Sequence, residues 1–338
     1  MARPCRRNVL RAVTLLTLAL GSFSVLHQLS YLVDVVAHDT LPRSIQTITK
    51  CPLSNRENTG KPSVQTSPKI PNLVHQIWKT SDVSTYPLEA SYNSWTFFFK
   101  PLNYTVKLWT DEDIRILIHH KYPWLLHTYE SYPHNVQRAD IARLVAIHAE
   151  GGIYADLDVY PVSKNWAIKD GIMCMQRLGI QAVFPPMAGN RGMSNHFFMA
   201  ERGSRFLEAA LQEATRRGVR SKRIVSPYLQ VFWSTGPLMI TAAAYQFLQT
   251  SSPAKQSQLL TVMDQKFTGS VISHKAGRSW HGWDGHALNW IADNLDEGYC
   301  KIIFGFLICV SIGGWLIIRR RRNGFDCIYK TSVEPDRS

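Results

Sequence analysis

The 338-residue sequence predicts a mixed α/β domain flanked by two apolar segments. Three observations carry that prediction. Short apolar runs alternate with stretches of helical periodicity through the middle of the chain. Polar residues gather where those apolar runs stop, and ligands of α/β sheets collect beyond the carboxyl ends of strands. Long uncharged stretches lie near both ends. A composition of 45% hydrophobic, 11% aromatic and 19% charged residues excludes a mainly disordered, collagen-like or coiled-coil chain.

The formal net charge is +13, but its distribution matters more than its total. Arg3, Arg6, Arg7 and Arg11 sit at one end and Arg319, Arg320, Arg321 and Arg322 at the other; without these eight the rest carries only +5. The aromatics form no stacking platform with the terminal charge, so nucleic-acid binding is not expected.

The ends read as membrane segments. Residues 1–11 form a basic tail, and the run from Ala12 to Leu26 opens an expected signal-anchor helix over 12–36. No small-x-small cleavage site follows it. Ile302 to Ile318 is uncharged and stops at four arginines, which predicts a second span over 302–318 before a basic tail, 319–338. Arginines beside both spans place both termini on the cytoplasmic side, with the domain in the secretory lumen. Residues 37–69, rich in Ser, Thr, Pro and Asn, read as a stem, and 70–298 as the luminal domain. On that topology only Cys51, Cys174 and Cys300 face an oxidising space, so one disulfide fits and a disulfide scaffold does not. Asn103-Tyr104-Thr105 is a glycosylation sequon.

Within the domain, Leu73 to Trp78 and Tyr104 to Trp109 predict two strands. Thr110 caps a helix, with Asp113 at the capping-box position. A stronger helix starts at Asn135 or Val136, carries Ile141, Leu144, Val145 and Ile147 at helical spacing, and ends at Gly151-Gly152. Ile153-Tyr154-Ala155 predicts a short strand, and Gln181 to Phe184 another. Phe206 to Arg217 and Leu238 to Leu248 predict helices.

Asp156 and Asp158 follow the Ile153 strand at once. In extended backbone, positions i and i+2 point to one side while Leu157 turns inward. Two such carboxylates repel, and a divalent cation relieves the repulsion; oxygen ligands suit Mg²⁺ or Mn²⁺. Asp140 and Arg143 share a helix face at i and i+3, which is also what an ordinary solvated ion pair would look like. Arg138 is offset from them. His75 reads as structural. His196, in Ser194-Asn195-His196, reads first as a satisfied loop histidine and alternatively as a candidate near an acceptor, as does His274 with less support.

Two runs, Gln137-Arg138-Ala139-Asp140-Ile141-Ala142-Arg143 and Glu150-Gly151-Gly152-Ile153-Tyr154-Ala155-Asp156-Leu157-Asp158-Val159, resemble the DXD-region signature of a glycosyltransferase family. That family contains the yeast initiating α-1,6-mannosyltransferase and the fungal inositol phosphoceramide mannosyltransferases. Ile70 to Trp78 is similar to its first strand and Ser279-Trp280-His281-Gly282 to its closing loop, so three ordered blocks span residues 70–285. The resemblance implies a GT-A-like nucleotide-sugar domain using GDP-mannose and Mn²⁺ or Mg²⁺, with retention of the α configuration. It implies catalytic roles for Asp140, Arg143, Asp156 and Asp158. Donor contacts would come from Trp78, Arg138, Asp140, Arg143, Ser279, Trp280 and His281, and metal contacts from Asp156, Asp158 and His281. After the Trp-His-Gly match only Asp284 supplies an acidic residue, where the lipid enzymes often carry more.

The expected reaction is mannosyl transfer to inositol phosphoceramide, a membrane lipid, by a multi-pass protein of the Golgi or endoplasmic reticulum membrane with a possible regulatory membrane subunit. Arg216, Arg217, Arg220, Lys222 and Arg223 are candidates for the lipid phosphate, although such a cluster is also what a solvated helix end carries. The alternatives are a glycoprotein N-glycan α-1,6-mannosyltransferase or other hexosyltransferase, and a non-catalytic subunit of a transferase complex.

Overall fold

The computed structural model describes residues 6–31, 45–50, 69–162, 167–187, 192–251, 259–275 and 282–294. The chain divides into two units, Asp34–Asp284 and Met1–Val33 with Gly285–Ser338. In the second of these lie helix α1 (Arg6–Ser30) and most of α11, introduced below.

The larger unit is built on strands β1 (Gln46–Ile48), β2 (Leu73–Ile77), β3 (Thr105–Trp109), β4 (Gly152–Ala155), β5 (Val159–Pro161), β6 (Ala182–Phe184), β7 (Phe197–Ala200), β8 (Leu260–Met263) and β9 (Ile272–His274). Its helices are α2 (Tyr92–Phe99), α3 (Asp111–Lys121), α4 (Pro123–Ser131), α5 (Asn135–Glu150), α6 (Ala167–Arg177), α7 (Arg205–Ser221), α8 (Pro227–Ser234), α9 (Pro237–Gln249) and α10 (Gln265–Val271); α11 (Trp283–Asn294) begins at its end. Seven strands form one sheet in the order β1-β8-β6-β7-β4-β2-β3, and β5 pairs with β9 in a separate antiparallel ribbon. Within the main sheet only β7 runs against its neighbours β4 and β6. Gln46–Ile48, inside the span read as a stem, is an edge strand paired parallel with β8.

Both sheet faces are covered, and single strands show why. Phe197 and Met199 of β7 join one apolar cluster with Trp95, Phe99, Ile172 and Met175 of α2 and α6. Phe198 and Ala200 join the other, with Ile141, Leu144, Phe206 and Ile240 of α5, α7 and α9. Successive side chains of a strand point to opposite faces, so a sheet sandwiched between helices reads as continuous apolar runs.

The expected caps form. Thr110 Oγ1 accepts from Asp113 N at 3.1 Å, and Asp113 Oδ2 accepts from Thr110 N at 2.9 Å. α5 ends at Gly151, φ 72°, followed by Gly152, φ 114°. A Cβ there would lie 2.7 Å from Arg202 N at Gly151 and 2.6 Å from Leu73 O at Gly152, so glycine is required on both counts. Exposed Asn103 holds φ 63° just before β3.

The first of the two expected membrane spans is overturned. Among the described residues no helix is long and apolar enough to cross a membrane. α1 stops at Ser30, short of Val36. The multi-pass Golgi or endoplasmic reticulum placement, which rested on spanning helices, falls with it. The segment 302–318 lies outside the described residues.

Candidate active site

The parallel strands β2 and β4 lie side by side, pairing His75 with Tyr154, so their carboxyl ends open at one edge. His75 is buried beneath that edge. Its Nδ1 accepts from Trp109 Nε1 at 2.9 Å, which leaves Nε2 as the donor to Gly151 O, also at 2.9 Å. Burial lowers its pKa to about 4, so the ring is a neutral brace between β2, β3 and the end of α5.

Asp156 N donates to His196 O at 2.9 Å, extending the β4–β7 ladder by one residue. Val159 N then donates to Asp156 O at 2.9 Å, closing a turn through Leu157 and Asp158. The carboxylate pair is therefore set by a turn and not by the extended segment expected. Leu157 does turn inward, and its carbonyl accepts from Ser91 N at 2.8 Å. Asp158 is held from the ribbon: Lys275 N donates to its carbonyl at 2.9 Å, and His274 Nε2 lies 3.6 Å from its Oδ2.

Asp140 and Arg143 are not a solvated pair. Both are buried, and Arg143 reaches from Asp140 to Asp156. Arg143 Nη2 lies 3.3 Å from Asp140 Oδ1, and Nη1 lies 3.3 Å from Asp156 Oδ2 while donating to Asn195 O at 2.9 Å. The guanidinium also stands 5.1 Å from the Tyr154 ring. Asp140 is further held by Asn195 Nδ2 at 3.0 Å and Thr235 Oγ1 at 2.8 Å. Tyr154 OH donates to Asp156 Oδ1 at 2.6 Å. Burial pushes the Asp140 carboxyl up, against the pull of Arg143, Thr235 and Asn195. Burial likewise raises Asp156 to about 6, opposed by Arg143 and reinforced by Asp158. Asn195 and Thr235 arrive from distant segments and were not singled out by sequence. Tyr154 was read only as a strand residue.

Trp78 stands past the end of β2, half-buried and outside both core clusters. Its N–H donates to Trp109 O at 2.9 Å, and Nε1 donates to Thr85 Oγ1 at 2.7 Å. Tyr86 meets it edge-to-face at 4.9 Å. Burial, then Asp158 and Asp156, raise the Tyr86 phenol, so this unforeseen tyrosine belongs with the carboxylates as well as with Trp78. His196 and His274 stack at 4.3 Å with planes 9° apart, and Ser194 Oγ meets His196 Nδ1 at 2.6 Å. Burial, then His274 and Arg143, lower His196 to about 3, so it is neutral.

Other expected residues fall elsewhere. Arg138 donates to Tyr132 O at 2.7 Å and to Asn135 Oδ1, at the start of α5. Arg217 is buried, donating to Glu213 Oε1 at 2.6 Å, and Arg216 also closes on Glu213. Two of the five basic residues considered for a lipid phosphate are thus tied to Glu213. Ser279, Trp280 and His281 lie outside the described residues. Cys174 is disulfide-bonded.

For a divalent cation the described residues fit in part. Both Asp156 oxygens are engaged, by Tyr154 and Arg143. Asp158, in the same turn, lies 3.6 Å from the imidazole of His274, a second side chain of metal-binding type. Among the described residues no group of three or more His, Cys, Asp or Glu gathers as a metal site.

Comparison with known proteins agrees with this chemistry. The family described as "Glycosyltransferase sugar-binding region containing DXD motif" matches residues 87–177, which include Asp140, Arg143, Asp156 and Asp158. Inositol phosphoceramide mannosyltransferase 1 of Schizosaccharomyces pombe is 27% identical over 326 residues, covering 92% of this chain and 91% of that protein. Inositol phosphoceramide mannosyltransferase 2 of the same organism is 30% identical over 285 residues, covering 81% and 75%. Mannosyl phosphorylinositol ceramide synthase CSH1 of Saccharomyces cerevisiae is 29% identical over 248 residues, covering 71% and 60%. With its carboxylates and their buried arginine in place, the chain is a glycosyltransferase and belongs to the DXD-motif family that includes the fungal inositol phosphoceramide mannosyltransferases.

Proposed function

We propose that the protein transfers mannose from GDP-mannose to inositol phosphoceramide, with retention at the sugar. The observation that carries this reading is the Arg143 fork between Asp140 and Asp156, one turn away from Asp158, at the carboxyl edge of β2 and β4. Relatives named for that reaction align over most of the chain.

In this reading Asp140 and Asp156 accept hydrogen bonds from hydroxyls of the donor sugar. Arg143 keeps the two carboxylates apart and oriented, so little reorganisation is needed when the sugar arrives. Trp78 walls the base, with Tyr86 between it and the diphosphate. Asp158 would hold a divalent cation, which when bound neutralises charge on a departing nucleotide diphosphate.

Asp140 and Asp156 each already have both oxygens engaged within the protein. That favours attack by the acceptor hydroxyl from the face the phosphate leaves, over a covalent sugar on either residue. The names of the relatives support inositol phosphoceramide as the acceptor, and in this reading its ring and phosphate approach near the stacked His196 and His274.

The experiment is transfer of labelled mannose from GDP-mannose to inositol phosphoceramide by the full chain. Labelled lipid supports the reading. Donor turnover with label only in water or in a glycan acceptor would overturn the lipid assignment.

A further inference from the structure

Asp284 is the acidic residue that follows Gly282-Trp283, and its carboxylate is buried against the start of α8. Its Oδ2 accepts from Ser226 Oγ at 2.7 Å and from Tyr228 N at 2.8 Å. A helix start leaves its first N–H groups without intrahelical partners. Here Pro227 has none to satisfy, Asp284 takes that of Tyr228, and the N-cap Ser226 takes that of Leu229 at 3.1 Å. The negative charge also faces the positive end of the helix dipole.

The other end of α8 reaches the site. Thr235, its C-cap, donates to Asp140 Oδ2 at 2.8 Å, and the carbonyl of Thr235 faces Asn195 Nδ2 at 3.5 Å. Between the two ends the helix is clamped along its length. His134 Nε2 meets Gln230 Oε1 at 3.0 Å, Gln137 Nε2 donates to Ser234 Oγ at 2.7 Å, and Arg217 Nη1 donates to Trp233 O at 3.0 Å. These contacts brace the helix between its two ends. At 1.5 Å per residue its length is about 12 Å.

We infer that Asp284 is a positioning residue for sugar transfer: it fixes the amino end of α8 and thereby the place at which Thr235 holds Asp140. The inference rests on the proposed function for the reaction it serves, and on the contacts alone for the link itself.

The test uses the full chain with Asp284→Ala, Asp284→Asn, Thr235→Val and the Asp284→Ala/Thr235→Val double variant. Two readouts are taken: kcat and KM for mannosyl transfer, and unfolding in urea. Asp284→Ala lowers kcat by about tenfold, and the loss in the double variant stays well below the product of the single losses. Asp284→Asn recovers to within about threefold of the parent, because an amide oxygen can accept the same two hydrogen bonds. In unfolding, the single losses do not add, although sites that far apart ordinarily add.

Additive unfolding losses overturn the inference. So does an unchanged kcat in folded Asp284→Ala. If the parent transfers no mannose, the proposed reaction fails, and the unfolding cycle still decides whether Asp284 and Thr235 are linked through α8.

Discussion

Arg143 Nη1 lies 3.3 Å from Asp156 Oδ2, joining the middle of α5 to the turn after β4 across a gap of 13 residues. The same guanidinium reaches Asp140, so one buried cation serves two carboxylates. Removing it leaves both without their compensating charge. Arg143→Ala is therefore expected to destabilise the domain by about 3–5 kcal/mol in chemical unfolding. Arg143→Lys keeps the charge but cannot fork between Asp140, Asp156 and Asn195 O. It is expected to fold while losing roughly tenfold or more in transfer. A lysine variant with full turnover would show that the fork is not needed.

His75 gives a pH signature independent of catalysis. Its pKa is about 4 in the folded protein against an ordinary 6.5. Between those values the unfolded chain binds the extra proton and the folded one does not, so stability is complete above about pH 6.5 and is lost as pH falls towards 4. The contribution is about 3 kcal/mol. Unfolding free energy measured across this range should fall less steeply in His75→Gln than in the parent. Equal slopes would mean that His75 is protonated within the fold.

Trp78 separates donor recognition from folding. It lies outside the apolar clusters and is held by one indole hydrogen bond to Thr85. Stacking of an aromatic on a base contributes about 1–3 kcal/mol, so Trp78→Ala is expected to weaken GDP-mannose binding by roughly tenfold or more. The unfolding midpoint should move little. Calorimetric titration with the donor checks the first, and a denaturant curve the second. Collapse of the fold with unchanged donor affinity would make Trp78 a packing residue.

How much of this was legible in the sequence depends on distance along the chain. The Thr110–Asp113 cap, the Gly151-Gly152 stop and the strand before Asp156 are local, and each formed close to its expected place. The helix face shared by Asp140 and Arg143 was legible too. Its burial was not, because i, i+3 spacing is the same on a solvated helix as on one packed under α8. Asn195 and Thr235 approach Asp140 from 55 and 95 residues away. No short pattern marks either. β7 is apolar on both faces, so it carries no alternation; β1, β5 and β9 have three residues each, as β6 does, but lack the fully buried apolar run that marked β6. The apolar run in α1 gave the opposite error: composition suggested a membrane span, and among the described residues no helix is long and apolar enough to be one.

The most direct test of the central claim is formation of mannosylated lipid by the purified full chain with GDP-mannose, inositol phosphoceramide and Mn²⁺. A high-mannose glycan is offered in parallel, and Asp158→Ala and EDTA serve as controls. The account predicts mannosylated inositol phosphoceramide from the parent, its loss with EDTA, and its loss in an Asp158→Ala protein that still unfolds cooperatively. Unchanged product from Asp158→Ala, or transfer to the glycan alone, would contradict it.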